Sequence, residues 1–245
     1  MAKFNSGKLL KTLTSGQGAI LTPHIDAYQE RGKFPPKWEI DILNEKPKRA
    51  DNLPILRFRA TDALLTPEEL FEKYTKEKEP ETISAAMRRT LDCGNMWHGY
   101  FQNILLDMGL VKEGNIEKYV IQKIVTKRGY CYGSGQIDLF DVEIPGHGNW
   151  LVDFKSMNKL KFDQGLSGDL LLQYTLQVSL YMDWTGAEKG MILAVCKDSP
   201  HNLREYQVQL DRSLVDPIYD KWSYVAQCIR ANLPADNEEY ARSLR

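Results

Sequence analysis

With 245 residues, 42% hydrophobic and 27% charged, the chain can bury a sizeable core and has the balance of an ordinary globular protein. A formal net charge of −1 excludes a uniformly basic nucleic-acid binder, so such a partner would have to meet a local basic groove. No stretch approaches the roughly 20 apolar residues of a membrane span. The opening Met-Ala-Lys-Phe-Asn-Ser-Gly-Lys lacks a signal peptide's apolar core, which makes the cytoplasm the expected compartment, or the host cytoplasm for a viral chain.

Residues 1–60 carry prolines at 23, 35, 36, 47 and 54 and a mixed-charge run over 44–51. They read as a short helix or two, with Lys8 to Leu13 one candidate, followed by a long solvated connection. A helix starts at Thr66-Pro67-Glu68-Glu69, with threonine as N-cap, proline at the first turn and Glu69 closing a capping box. The Lys/Glu run to Glu81 reads as its exposed end. From Ser84 to Leu110 the stripe Trp97, Phe101, Ile104, Leu105, Met108 predicts a second, amphipathic helix.

Strand signals follow at Tyr119–Thr126, Tyr132–Ile144 and Trp150–Phe154. A helix over Ser167–Trp184 is stopped by Gly186. Apolar Met191–Cys196 and alternating Arg204–Leu210 are further strands, and Asp216 to Asn232 returns to helix. This order predicts an α/β fold, a mixed central sheet flanked by helices. The simplest organisation is a single domain: an N-terminal helical extension over 1–83 packed on a core over 84–245.

Three charges interrupt the strands that otherwise read as buried: Asp138 in Gln136-Ile137-Asp138-Leu139-Phe140, and Asp153 and Lys155 in Leu151-Val152-Asp153-Phe154-Lys155. Asp153 and Lys155, two apart, share one face at about 6.5–7 Å along the strand. The Pro145-Gly146-His147-Gly148 break predicts a hairpin. Centred between Pro145 and Gly146, it sets Asp138 opposite Asp153; a longer loop shifts that pairing, and only a bulge then restores it. Charges left unpartnered in apolar strands are costly, and a divalent cation held by two carboxylates offsets that cost. Asp-x-Lys by itself also suits the polar face of a half-exposed strand. Here it is the chain's single Asp/Glu-x-Lys among 33 acidic residues, and it follows an Asp-bearing strand at hairpin distance.

In order, Gly94-Asn95-Met96-Trp97-His98, Gly135-x-x-Asp138, Asp153-Phe154-Lys155 and Gln177-x-x-x-Tyr181 resemble the PD-(D/E)xK nuclease superfamily, and within it the RecB-like exonuclease branch. The resemblance spans about residues 94–185. It implies a restriction-endonuclease-like fold and a metal-dependent deoxyribonuclease that hydrolyses phosphodiester bonds from DNA ends, in recombination, repair or phage DNA processing. It implies that Asp138, Asp153 and the Phe154 carbonyl bind one or two Mg²⁺ or Mn²⁺ ions, with His98 completing the set. Glu117 is a candidate further ligand, since several family members carry an acid there; a solvated residue at a strand start fits it as well. Lys155, beside two carboxylates, keeps its proton and serves to orient water and stabilise the transition state rather than as a base. Gln177 and Tyr181 share a helix face with Gln173, and in the family that face meets the nucleic acid and the active-site strand.

Arg88 and Arg89, with Lys159 and Lys161, are candidates for a phosphate-tracking groove, and Tyr100, Trp97 or Trp38 for base stacking. DNA, as single strands or ends, is the expected partner, with a recombination or repair protein as a second candidate. Cys93, Cys131, Cys196 and Cys228 include no Cys-x-x-Cys, so neither structural zinc nor a disulfide framework is expected; nor do they fit the iron–sulphur spacing of some relatives. Two alternatives share the fold: a structure-specific or restriction-type endonuclease, and a catalytically inactive DNA-binding scaffold.

Overall fold

A computed structural model describes residues 18–31, 56–76, 84–199 and 202–244. In chain order the elements are α1 (Thr22–Glu30), β1 (Phe58–Arg59), α2 (Pro67–Thr75), α3 (Ala85–Asp107), β2 (Ile116–Thr126), β3 (Gly129–Ile144), β4 (Gly148–Met157), α4 (Lys159–Gln164), α5 (Gly168–Thr185), β5 (Gly190–Cys196), β6 (Leu203–Val208), α6 (Arg212–Ala231) and α7 (Asn237–Ser243). The expected candidate helix at Lys8–Leu13, Trp38 and the mixed-charge run at 44–51 lie outside the described residues.

The described strands form a six-stranded mixed sheet flanked by helices, a restriction-endonuclease-like architecture. β4 and β5 run parallel, as do β1 and β3; the other pairs are antiparallel. The parallel β4–β5 pair is buried on both faces, which is why Gly190–Cys196 reads as an unbroken apolar run. One face packs Leu176, Val178, Leu180 and Trp222 of α5 and α6 against Leu151, Ile192 and Ala194. The other packs Ile25 of α1 and Phe101, Ile104 and Leu105 of α3 against Val152, Phe154 and Leu193. In the predicted α3 stripe, Phe101, Ile104 and Leu105 form the buried centre, while Trp97 is only half-buried.

Local chemistry explains the helix ends. Thr66 accepts from the Glu69 amide while the Glu69 carboxylate accepts from the Thr66 amide, the expected capping box, worth about 1 kcal/mol. Ser84 caps α3 and Asn158 caps the short α4. The N-terminus of α1 docks on the sheet through Glu205 of β6, whose carboxylate accepts from the amides of Ile20, Leu21 and Thr22. α6 begins at Arg212, one turn before the expected Asp216, and carries Pro217 inside it. Proline suits a first turn, so Asp216-Pro217 reads as a start, yet Asp211 is the cap: its carboxylate accepts from the Ser213 amide.

Two features of β3 position the site. It is 16 residues long, and β2 runs along one edge from Gly129 to Leu139. The other edge is shared: β4 pairs with Leu139–Ile144, and β1 takes over at Gly133 and Ser134. Between them, Gly135 to Asp138 have no ladder partner on that edge, and the sheet opens. The hairpin turn is centred on Gly146, with Ile144 paired to Gly148, one residue off the register that aligns Asp138 with Asp153. A bulge corrects this. Phe140 and Asp141 together oppose Leu151, Asp141 adopts φ of 58°, and beyond them Leu139 pairs with Val152. The longer-loop-plus-bulge alternative is the one the chain uses.

Candidate active site

The opening gathers one set of interacting charged groups, with Asp138 in contact with His98 and Asp153 with Lys155. On the α3 side stands Asp138, 9% exposed, with Oδ2 accepting from the Phe154 amide at 2.7 Å. His98 Nδ1 lies 3.6 Å from the same oxygen. Its ring, 5.8 Å from that of Phe154, is set by the α3 packing in which Phe101 stacks on Phe154. Glu117, in the left-handed region at φ 52° where β2 begins, completes the group. One ligand atom each from His98, Glu117 and Asp138 falls within 4.8 Å of the others. Two carboxylates and an imidazole at that spacing are a donor set suited to a divalent cation such as Mn²⁺ or Mg²⁺.

On the α5 side stand Asp153 and Lys155. Asp153 is 1% exposed, and its Oδ2 lies 2.5 Å from Lys155 Nζ. This is an ion-pair contact only: among the described residues Oδ2 accepts no well-aligned hydrogen bond. Gln177 Nε2 donates to Asp153 Oδ1 at 3.3 Å and to the Tyr181 hydroxyl at 3.2 Å. Lys155 Nζ also sits 4.9 Å from the centroid of the Tyr174 ring.

Gly135 explains why glycine opens the Gly-x-x-Asp segment. A Cβ there would come within 2.3 Å of the Tyr181 ring, which is 2% exposed and has little freedom to yield. The glycine thus lets α5 approach closely enough for Gln177 to reach Asp153.

The electrostatics follow the layout. Burial pushes the Asp153 carboxyl up to about 6, with the Lys155 ammonium restraining the rise and the Asp138 charge adding to it. Burial acts the same way on Asp138, but His98, Lys155 and the Phe154 amide outweigh it and hold that carboxyl below the usual range. For Lys155, burial favours the neutral amine, yet Asp153 and Asp138 prevail and raise its pKa. Burial likewise opposes a charge on His98, and Asp138 overrides it, so the imidazole titrates above its ordinary value. Lys155 therefore holds its proton, as its place beside two acids leads one to expect.

The sequence places His98, Glu117, Asp138, Asp153, Lys155, Gln177 and Tyr181 in one site, and the fold brings all seven to the opening. Their grouping differs from the expected one. Glu117 and His98 gather on Asp138, while Asp153 stands outside that set, turned toward Lys155 and Gln177. Gln177 and Tyr181 are buried, and Gln173 on the same helix is half-buried, so their polar contacts run to Asp153 and to each other. Arg88 and Arg89 are exposed near the start of α3; Lys159 and Lys161 are exposed on α4, with Lys159 Nζ 2.8 Å from Asp163. The four cysteines are free thiols, Cys131 and Cys196 buried, Cys93 and Cys228 half-buried.

Sequence reading missed Gln102. It is buried one turn beyond His98, and its Nε2 donates to Glu117 Oε1 at 2.6 Å and to the Asp138 carbonyl at 3.4 Å. The signal was available: His98 and Gln102 stand at i and i+4, the spacing that joins Gln177 to Tyr181.

No family model matches the chain, and no curated protein matches it in sequence. Solved structures do match. SSO0001 aligns with a TM-score of 0.50 at 16% identity, over 86% of this chain and 87% of that one. The alkaline exonuclease LHK-Exo of Laribacter hongkongensis aligns with a TM-score of 0.45 at 16% identity, over 77% of this chain and 93% of that one. The same exonuclease in complex with dAMP aligns with a TM-score of 0.46 at 16% identity and equal coverage, 77% and 93%. At such identities a likeness speaks to the fold, and the chemistry has to come from the site. Among the described residues, no helix is long and apolar enough to cross a membrane.

Proposed function

We propose that this chain is a PD-(D/E)xK-type deoxyribonuclease of the RecB-like branch, dependent on Mg²⁺ or Mn²⁺, that hydrolyses DNA from its ends. One observation carries the reading: His98, Glu117 and Asp138 converge within 4.8 Å of one another beside the buried Asp153–Lys155 pair. Structural neighbours named as exonucleases are in keeping with it.

His98, Glu117 and Asp138 would hold the cation, with Asp153 and the Phe154 carbonyl as further candidate ligands at its edge. When bound, a divalent ion supplies Lewis acidity and charge neutralisation at the scissile phosphate. The other roles belong to the protein's own groups. Lys155, protonated, donates to a phosphate oxygen as negative charge builds in the transition state. Asp153 keeps that ammonium in place, and Gln177 keeps Asp153 in place, itself backed by Tyr181. Burial of the pair keeps water from dissipating the interaction.

Incubation of end-labelled linear DNA and closed circular DNA with Mg²⁺ or Mn²⁺ tests the reading. The expected result is release of nucleotides from linear DNA, lost with EDTA, with circles intact. Nicked circles would point to the endonuclease alternative. A folded protein that binds DNA and cuts neither form would point to the scaffold alternative.

A further inference from the structure

Strand β4 and helix α5 meet residue by residue at the opening. Asp153 and Lys155 stand two apart on the strand, about 6.5–7 Å, and Gln177 and Tyr174 three apart on the helix, a rise of about 4.5 Å along one face. Gln177 reaches Asp153. One turn earlier Tyr174 reaches Lys155, whose Nζ stands over the ring at 4.9 Å from its centroid. One turn later Tyr181 closes on Gly135. Gln177 and Tyr181 serve Asp153; Tyr174 meets the ammonium itself.

That ammonium needs a second hold. Lysine carries its charge on a flexible four-carbon stem, and one ion-pair partner fixes how far the charge sits from the acid, not where it points. Asp153 belongs to the same strand as Lys155, and its Oδ2, 2.5 Å from Nζ, accepts no well-aligned hydrogen bond among the described residues. Tyr174 comes from another element. It is half-buried against the α5-side core, and its hydroxyl has no hydrogen-bond partner among the described residues. The engaged part of Tyr174 is therefore its ring. A cation over an aromatic face is attracted by the ring's quadrupole, more strongly where water is kept out, and Asp153 at 1% exposure marks such a place. An ammonium has three donors. With Asp153 and the ring engaging two, the third is left for a phosphate oxygen.

We propose that Tyr174 is a positioning residue of this site, the face of its ring holding the Lys155 ammonium in place at the opening while its hydroxyl is dispensable. The inference rests on the nuclease reading above and adds a residue to it.

The test compares wild type with Tyr174→Leu, which removes the face, and Tyr174→Phe, which keeps it. Thermal melting checks folding, and Tyr174→Met replaces the leucine variant should that one not fold. The first readout needs no activity: ¹³C relaxation of the Lys155 ε-carbon, assigned by its loss in Lys155→Arg. The carbon should be ordered in wild type, lose that order in Tyr174→Leu and regain it in Tyr174→Phe. The second is cleavage of end-labelled linear DNA with Mn²⁺. Tyr174→Leu should lower kcat about tenfold with KM unchanged, and Tyr174→Phe should rescue it. A leucine variant with an ordered Lys155 and full kcat overturns the proposal. So does a phenylalanine variant as impaired as the leucine one, which would make the hydroxyl the working group, or a rise in KM that accounts for the whole loss. Wild type that cleaves no DNA defeats the nuclease reading, and the relaxation data then decide the role of the ring by themselves.

Discussion

Gln102 Nε2 lies 2.6 Å from Glu117 Oε1. The contact links the fifth turn of a core helix to a residue held in left-handed backbone at the start of β2, and through the Asp138 carbonyl it reaches a second acid of the same cluster. Left-handed backbone at a non-glycine residue is costly and persists where its surroundings hold it. Gln136 Nε2 adds a donor to the Glu117 carbonyl at 3.4 Å. Gln102→Leu keeps the volume and removes the donor. Groups that orient a ligand are worth about 10–100-fold in metal affinity, so calorimetric titration of Mn²⁺ should show a loss of that order. Gln102→Glu, which places a carboxylate where an amide donated, should not restore it.

Lys155→Ala should lower kcat on linear DNA by about 10²–10³-fold, the usual consequence of deleting one group that stabilises transition-state charge. DNA affinity in EDTA should hardly change. The same substitution leaves the buried Asp153 without its cation, so that carboxyl, already raised to about 6, should titrate higher still. Single-turnover rates and the ¹³C shift of the Asp153 carboxyl across pH check both halves.

Gly135→Ala should destabilise the protein by about 1–3 kcal/mol, the usual penalty of overpacking, because the new methyl meets the Tyr181 ring at 2.3 Å. Activity should fall further than stability accounts for, since Gln177 and Asp153 depend on that ring's position. Urea midpoints and kcat for Gly135→Ala, and for Gly135→Ala with Tyr181→Leu to make room, distinguish the effects. The second variant should recover the midpoint without recovering kcat.

Lys221 on α6 provides a pH test away from the site. Burial lowers its pKa from 10.5 to about 8, only partly offset by Glu69, and its ammonium donates to the Ala63 carbonyl. Between pH 8 and 10.5 the unfolded chain then binds more protons here than the folded one does. The Lys221 contribution to stability must rise with pH across that window, and its cost is fully present below pH 8. Lys221→Met should remove this slope. Urea denaturation of both proteins at pH 7.5, 9 and 10 measures the difference, which should shrink as pH increases.

What was legible in the sequence was what local chemistry dictates. The Thr66 capping box, the apolar centre of α3 and the unbroken apolar run of β5 each carry their own signal. The site residues were legible because charges in apolar strands demand a reason. Other features depend on partners distant in sequence. β3 begins at Gly129, three residues before its expected start at Tyr132, and the close approach of Trp184 to Gly133 and of Tyr181 to Gly135 within it is set by a helix distant in sequence. Phe58 and Arg59 are too short a run to signal a strand, and β1 exists through its pairing with β3. Glu117 joins Asp138 through a backbone conformation that its residue type does not advertise. Asp153 meets Gln177 only because α5 packs on the sheet, across 24 residues of sequence.

The extra residue at Phe140–Asp141 also bears on how this hairpin tolerates length changes. Its tip lies far from the opening, at Pro145 to Gly148, yet each residue gained or lost there moves the whole returning strand by half a repeat of side-chain alternation. Because the irregularity absorbs that offset before the acids are reached, the tip is free to vary only in step with it. Removing Asp141 alone would leave Phe140 opposite Leu151 and Leu139 still opposite Val152, so it is a shift of register at the tip, not loss of the bulged residue, that would misalign the acids. Chain length at the solvent end and geometry at the buried end are thus counted in the same integer.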